Sequence, residues 1–299
     1  MKKIAVIVVT YNRCALLLEC IEALKKYAKQ ADIIIIDNAS TDETTEKIQP
    51  YIRGREIIYY NMGSNIGGAG GFNYGIKKAY DLGYEYFWLM DDDTIIDKST
   101  LKEIINCVRI TRNRFGFISS LALWTDGSIC KMNRHIINSK WGDSKSYCKD
   151  GILRIDQATF VSFFIKREVV TKVGLPIKDY FIWGDDTEYS LRISKKYPCY
   201  FAAKSIVTHK MKENKSTSRM YQLEDKERID RMYMSIRNDI CTYKHYSLVK
   251  LFEVSLYFFM NLVLVLIKKN PYKLQKIKII LKGYIKGLLF FDPEIEKID

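Results

Sequence analysis

Apolar residues in the first ninety positions fall into short runs, and each run gives way abruptly to polar residues. "IAVIVVT" (4–10) is continuous and β-branched, the pattern of a strand covered on both faces. "LLLECIEALKKY" (16–27) repeats its apolar positions at helical spacing. "ADIIIIDNASTD" (31–42) predicts a second buried strand running into a polar turn, and "STDETTEKI" predicts a helix with Ser40 or Thr41 as its cap and acids in its first turn. "REIIYYN" (55–61) predicts a third strand, "GSNIGGAGG" (63–71) a glycine-rich turn, and "FNYGIKKAYDLG" (72–83) a helix. "YEYFWLM" (84–90) predicts a fourth strand, and three aspartates follow it. Strands alternating with helices give an α/β fold, a mostly parallel sheet flanked by helices. Such sheets bind ligands beyond the carboxyl ends of their strands. The polar clusters 10–13, 37–42, 61–71 and 91–94 all fall at those ends, so they should converge on one crevice.

The middle of the chain is less regular. It predicts a helix over 99–110, strand-like stretches over 115–123 and 158–170, and a loop over 180–184 leading into a helix with Asp185, Asp186 and Glu188 in its first turn. A further strand over 199–210 carries His209 near its end. The last third changes character. "LFEVSLYFFMNLVLVLI" (251–267) is 17 residues with one charge, Glu253, which is near the lower limit of a membrane span. In 272–290, Ile277, Ile280, Leu281, Tyr284 and Leu288 form an apolar stripe with the lysines mostly off it. That pattern suits an anionic bilayer surface. Membrane contact, a true span and packing against the preceding domain are the three readings of 251–267. Glu253 and the short length oppose a span.

Charge sharpens this picture. The 299 residues carry a formal net charge of +13, which calls for a polyanionic partner: nucleic acid, an anionic membrane or a phosphorylated substrate. Residues 268–286 hold seven lysines and no acid, so the excess is concentrated on the amphipathic tail. The seven cysteines are scattered and form no C-x-x-C, which excludes a disulfide framework or a zinc knuckle and fits a reducing cytosol. The first apolar run reads as a buried strand rather than a leader, being too short for a signal peptide's apolar region.

Three stretches carry candidate chemistry. In "WLMDDD" (88–93), Asp91 and Asp93 stand two apart at a strand end, where both can turn toward one hard divalent cation; a solvated turn capping the next helix is the plainer alternative. In "NIGGAGGFNYG" (65–75), glycines let backbone approach a phosphate or ribose ahead of a helix N-terminus, though Asn73 breaks the dinucleotide fingerprint; a plain tight turn competes. In "WGDDTE" (183–188), a carboxylate beside an aromatic wall could act as a general base or bind sugar hydroxyls, and helix capping explains the same acids more simply. His209 gains weight only if it faces the aspartates.

Taken together, "VVTYNR" (8–13), "IIDNASTD" (35–42), "NIGGAGGFNYG", "WLMDDD" and "WGDDTE" resemble the family 2 glycosyltransferases of GT-A fold, in order over roughly residues 4–240. The glycine pattern followed by D-D-D looks most like the galactofuranosyltransferase branch. Its rhamnosyltransferase relatives tend to carry D-Q-D, where this chain has Asp92. "YMSIRND" (233–239) is similar to the Y-x-x-x-R-N segment of that group, which brings in Arg237 and Asn238. The resemblance implies a nucleotide pocket lined by Thr10, Tyr11, Asn12 and Arg13, with Asp37 holding the base. Asn65, Gly67, Gly68 and Gly71 would flank the ribose and donor sugar, with Asp92 and Arg237 also on the donor side. Asp91, Asp93 and His209 would hold Mn²⁺ or Mg²⁺. Asp186 would be the general base, with Trp183, Asp185 and Glu188 binding the acceptor. The implied enzyme is an inverting glycosyltransferase building a cell-surface glycan, with UDP-galactofuranose as donor ahead of dTDP-rhamnose. It would act on a glycan or lipid-linked acceptor at the cytoplasmic face of the membrane. The implied organisation is a catalytic domain over 1–240, split into a nucleotide-binding half (1–98) and an acceptor-binding half (99–240), and a helical membrane-associating extension over 241–299. Two other classes fit parts of the pattern. A nucleotidyltransferase would want a lysine-bearing glycine loop that "VVTYNR" lacks, and a nucleic-acid binder would interleave its basic residues with exposed aromatics on the sheet.

Overall fold

The computed structural model describes residues 3–215 and 219–298. The apolar runs become strands: β1 (Ile4–Thr10), β2 (Ala31–Asp37), β3 (Ile57–Asn61), β4 (Tyr86–Asp91), β5 (Thr94–Ile96), β6 (Phe117–Leu123), β7 (Ile136–Ile137), β8 (Ile152–Gln157), β9 (Phe163–Lys166) and β10 (Cys199–His209). They form one ten-stranded mixed sheet in the order β3-β2-β1-β4-β9-β6-β10-β8-β7, with β5 added to β10. The first four are parallel neighbours, and β9 enters antiparallel between β4 and β6. Register aligns their polar ends: Thr10 lies opposite Asp37, Asp37 opposite Asn61, and Val9 opposite Asp91. The predicted crevice therefore exists because four strands stop at the same level.

Both faces of the sheet are covered, which is why the strands read as unbroken apolar runs. Leu17, Ile21 and Leu24 of the helix Cys14–Tyr27 pack on one face together with Leu101, Ile104 and Cys107 of the helix Thr100–Ile110. Phe72 and Ile76 of the helix Gly67–Asp81, Val169 and Val170 of Arg167–Val173, and Tyr189 and Ile193 of Asp185–Ser194 cover the other.

Several expectations change in detail. The helix expected from Ser40 starts only at Thr44. Asn12 Oδ1 holds the amide of Thr41 at 2.7 Å, and Asp42 rather than Ser40 or Thr41 accepts the amide of Thr44. The glycine-rich turn is half helix, since Gly67–Asp81 is helical throughout. The strand expected over 158–170 is shorter, because Val169, Val170 and Val173 reach the core as one helix face after β9 ends. The domain boundary expected at 240 falls inside the helix Lys226–Tyr246.

That helix packs with Leu248–Ile267 and Lys273–Ile285 around Ile229, Ile236, Ile240, Phe258, Val265, Ile279 and Ile280. Helix Leu248–Ile267 is long and apolar enough to cross a bilayer, and only 17% of its most apolar window is buried, so it is not a core helix. Lys276 is not on the solvated face. It is fully buried, with Nζ directed at Asn270 Oδ1 (3.2 Å) and Tyr221 O (3.4 Å). The remaining chain returns to the sheet domain, where Glu296 O accepts the amide of Leu175 (2.9 Å).

Candidate active site

Strand pairing assembles the centre of the crevice. β4 delivers Asp91, the chain turns through Asp92 and Asp93, and β5 then pairs antiparallel with β10, setting Thr94 opposite His209. Residues 115 positions apart thus meet by register. Asp91, Asp93 and His209 each offer a ligand atom, all within 4.8 Å of one another. His209 Nδ1 lies 2.8 Å from Asn133 Oδ1, and an amide oxygen can only accept, so Nδ1 carries the proton. Nε2 then faces Asp93 Oδ1 at 3.0 Å. That buried oxygen receives no well-directed hydrogen bond. Burial and then the neighbouring Asp93 push Asp91 up to about 6. Burial pulls His209 down, but Asp93 outweighs it and raises the imidazole well above its usual value. Two carboxylates and an imidazole that repel or share a proton without a cation, with the imidazole oriented from behind, make a donor set suited to a hard divalent ion.

Asp92, the middle aspartate, is 3% exposed and turned away from this group. Thr10 Oγ1 donates to its Oδ2 (2.7 Å) and Arg13 Nη1 approaches its Oδ1 (3.3 Å). The same Arg13 nitrogen lies 2.6 Å from Asp93 Oδ2. Asp92 therefore ties the first loop to the acidic turn, and Arg13 remains half-exposed with its positive charge at the crevice. Asn12, in the left-handed region at φ 53°, links the loops after β1 and β2 through Ser40, Thr41 and Asp42. Tyr11 stays exposed.

The second carboxylate cluster stands at the start of the helix Asp185–Ser194. Asp186 is half-buried, and the amide of Thr187 donates to its Oδ1 (2.6 Å). Burial raises its pKa to about 6. Asp185 is buried, and burial followed by the charge of Asp186 holds its pKa well above the usual value. The charge of Asp186 is felt at Asp91 and that of Asp91 at Asp185, so the two clusters lie within electrostatic reach of each other. Asp239, from the helix Lys226–Tyr246, joins them; burial and then Asp186 raise its pKa to about 7. Trp183 precedes the cluster in a left-handed conformation (φ 62°).

Four of the expected ligand residues have partners within the protein. Asp37 is fully buried, its oxygens accepting from Ser40 N (2.8 Å) and the Tyr59 hydroxyl (2.8 Å). Asp92 is engaged as described. Glu188 is 1% exposed and pairs with Arg192 (2.8 Å) and the Tyr246 hydroxyl (2.7 Å). Arg237 Nη2 donates to Asp179 O (2.9 Å), and its guanidinium stacks 3.8 Å from the Phe291 ring. Among the glycines, Gly67 (φ 76°) and Gly71 serve close packing: a Cβ would meet Phe181 O at 2.1 Å and Val9 Cγ1 at 2.6 Å. Gly68 has open space in front of it. Asn65 caps the turn by accepting the amide of Gly67 (2.9 Å). Asn133 and Asp239 went unread in the sequence. Asn133 lies in the irregular middle with no motif around it, and Asp239 adjoins the noted Arg237 and Asn238 without a pattern of its own.

Residues 5–119 match the model for glycosyl transferase family 2. The galactofuranosyltransferase GlfT1 of Mycolicibacterium smegmatis is 24% identical over 209 residues, 64% of this chain and 65% of that protein. The poly-beta-1,6-N-acetyl-D-glucosamine synthase of Staphylococcus aureus is 38% identical over 73 residues, 24% of this chain and 17% of that protein. The chain thus spans less than two thirds of the length of these relatives. The fold is GT-A: S. aureus TarS 1-349 in complex with UDP-GlcNAc superposes with a TM-score of 0.62 at 16% identity, over 96% of this chain and 82% of that one. GalNAc-T7 with UDP, GalNAc and Mn²⁺ gives a TM-score of 0.59 at 15% identity, over 86% of this chain and 54% of that one. The matched segment holds Asp91 and Asp93, while His209 and Asp186 lie beyond it; strand pairing brings His209 to the two aspartates.

Proposed function

We propose that this chain is an inverting glycosyltransferase that moves a sugar from a nucleoside-diphosphate donor to a glycan hydroxyl. The observation that carries the reading is the Asp91–Asp93–His209 group at the strand ends, with Asp186 near enough for its charge to act on Asp91. These three residues would hold Mn²⁺ or Mg²⁺, which stabilises negative charge on a departing diphosphate. Tyr11, Asn12 and Arg13 line the nucleotide side, where the Arg13 cation faces the phosphates. The open backbone at Gly68 leaves room for the ribose and sugar. Asp186, ionised, takes the proton of the acceptor hydroxyl as that oxygen attacks the anomeric carbon opposite the leaving diphosphate. One displacement inverts the centre, and such base assistance is worth about 10²–10⁴-fold. Trp183 and Asp185 adjoin this base on the acceptor side.

UDP-galactofuranose is the donor the reading favours, supported by the similarity to a galactofuranosyltransferase. A donor panel including dTDP-rhamnose, read by nucleoside-diphosphate release with Mn²⁺ and with chelator, tests it. Release from UDP-galactofuranose that disappears with chelator and in Asp93→Asn is expected. Release unaffected by either would overturn the metal reading, and preference for dTDP-rhamnose would overturn the donor.

The same reading puts the enzyme at an anionic membrane, where a lipid-linked acceptor is presented. Helix Leu248–Ile267 exposes Leu248, Val249, Phe252, Phe259, Met260 and Ile267. Lys268, Lys269, Lys273, Lys278, Lys282 and Lys286, which follow it in the chain, are exposed too. Apolar area together with cations fits the interface of an anionic bilayer, and each lysine near such a surface contributes on the order of 1 kcal/mol.

A further inference from the structure

Two adjacent side chains hold nearly every carbonyl of the loop that leads to Asp185 and Asp186. Asn238 is fully buried. Its Nδ2 lies 3.0 Å from Tyr180 O, 3.1 Å from Ile182 O and 2.7 Å from Trp183 O, so two N–H groups are shared among three acceptors. Its Oδ1 accepts from Arg237 Nε (2.9 Å), and Arg237 Nη2 reaches Asp179 O (2.9 Å) and Tyr180 O (3.3 Å). The loop needs holding, because Phe181 (φ 64°), Trp183 (φ 62°) and Gly184 (φ 84°) are all left-handed. It also touches the donor side, where Phe181 O accepts the amide of Ala69 (3.1 Å) at the start of the glycine helix.

The end of the chain closes over this arrangement. The Phe291 ring has the Arg237 guanidinium carbon over it, 3.8 Å from its centroid, and lies beside the buried Tyr180 ring at 5.8 Å. Five residues on, Glu296 pairs with Lys77 (2.6 Å) and Lys178 (3.3 Å), bridging the glycine helix and the start of the loop. We infer that Arg237 and Asn238 are positioning residues that fix the loop 179–186 from behind, and that Phe291 locks them in place, which makes the segment after the membrane-facing helices part of the catalytic architecture. The catalytic consequence rests on the reaction proposed above; the structural one does not.

The test compares Phe291→Ala, Phe291→Tyr and the isosteric Asn238→Asp in the full chain. Amide exchange over 180–186 should speed up on the order of 10-fold in Phe291→Ala, with the strands β1 and β4 unchanged. Phe291→Tyr, which keeps the ring on Arg237, should retain native exchange. With the preferred donor, kcat should fall about 10–100-fold in Phe291→Ala while donor KM stays within about 2-fold, because the base is displaced and the nucleotide pocket is not. Asn238→Asp sets an oxygen against three carbonyls and should exceed the effect of Phe291→Ala; should it not fold, the two Phe291 variants decide. Native exchange over 180–186 in Phe291→Ala, or equal losses in Phe291→Ala and Phe291→Tyr, would overturn the inference. A native protein that consumes no donor, but whose loop responds as described, would refute the proposed reaction and leave the positioning role standing.

Discussion

Asn133 decides which nitrogen of His209 is free. By accepting from Nδ1 it leaves Nε2 directed at Asp93, the arrangement that backs a metal-ligating imidazole. Asn133→Ala should therefore weaken Mn²⁺ binding by about 10–100-fold in calorimetry without unfolding the protein. Unchanged affinity would show that the imidazole is oriented by other groups. As the proposed general base, Asp186 would set a pH limit. It must be ionised to accept a proton, and burial raises its pKa to about 6, so turnover should fall toward tenfold per pH unit below about 6 and level off above it. A rate flat through that range would assign the base elsewhere. Glu188 shows why neighbouring acids are easily confused in sequence. It follows Asp185 by three residues, yet its oxygens are bound to Arg192 and Tyr246 inside the core. The E-x-x-x-R spacing was the available signal. Glu188→Ala strands the buried Arg192 and should cost about 3–5 kcal/mol in denaturant unfolding.

At the scale of elements, the glycine-rich segment is half helix, and Gly71 and Gly75 are the glycines that lie against strands. A Cβ on Gly75 would come within 2.4 Å of Ile7 Cγ2 and 3.0 Å of Ile36 Cγ1, so the helix Gly67–Asp81 rests directly on β1 and β2. Gly75→Ala should destabilise by about 1–3 kcal/mol through overpacking. Gly68→Ala, with open space around it, should hold or raise the melting temperature. Equal losses at both positions would contradict the packing account. Phe181 and Trp183, with positive φ, carry strain of about 1–3 kcal/mol each, which the carbonyl contacts of Asn238 offset. The "RN" pair was legible as a motif, but its partners, some 55 residues earlier, were not.

Across the whole molecule, exposed lysines and exposed apolar side chains are both concentrated in the last third of the chain. The sequence assigned the lysine-bearing helix the leading role. In the structure Lys273–Ile285 turns Ile279, Ile280 and Lys276 inward, and Leu248–Ile267 supplies most of the outward apolar area. Replacing Phe252 and Phe259 together with glutamate should abolish co-sedimentation with anionic vesicles at moderate salt. Neutral vesicles should bind weakly in either case, since the lysines need lipid charge. Full binding by the double variant would place the contact elsewhere. Truncation inside residues 226–246 would cut the helix that carries Asn238 and Asp239, so point substitutions are the cleaner probe.

Sequence by itself determined the strands β1 to β4, their common polar ends, the Asp91/Asp93 pair and the character of the tail. These are local properties, written in runs of a few residues whose periodicity reports burial. Tertiary structure decided which polar groups face the crevice and which serve the framework. Asp37, Asp92, Glu188 and Arg237 have the residue types of ligands, but each is held by partners distant in the chain or turned inward by packing. Asn133 joins the site through pairing between β5 and β10 and the approach of the loop after β6, contacts that one segment read alone does not encode.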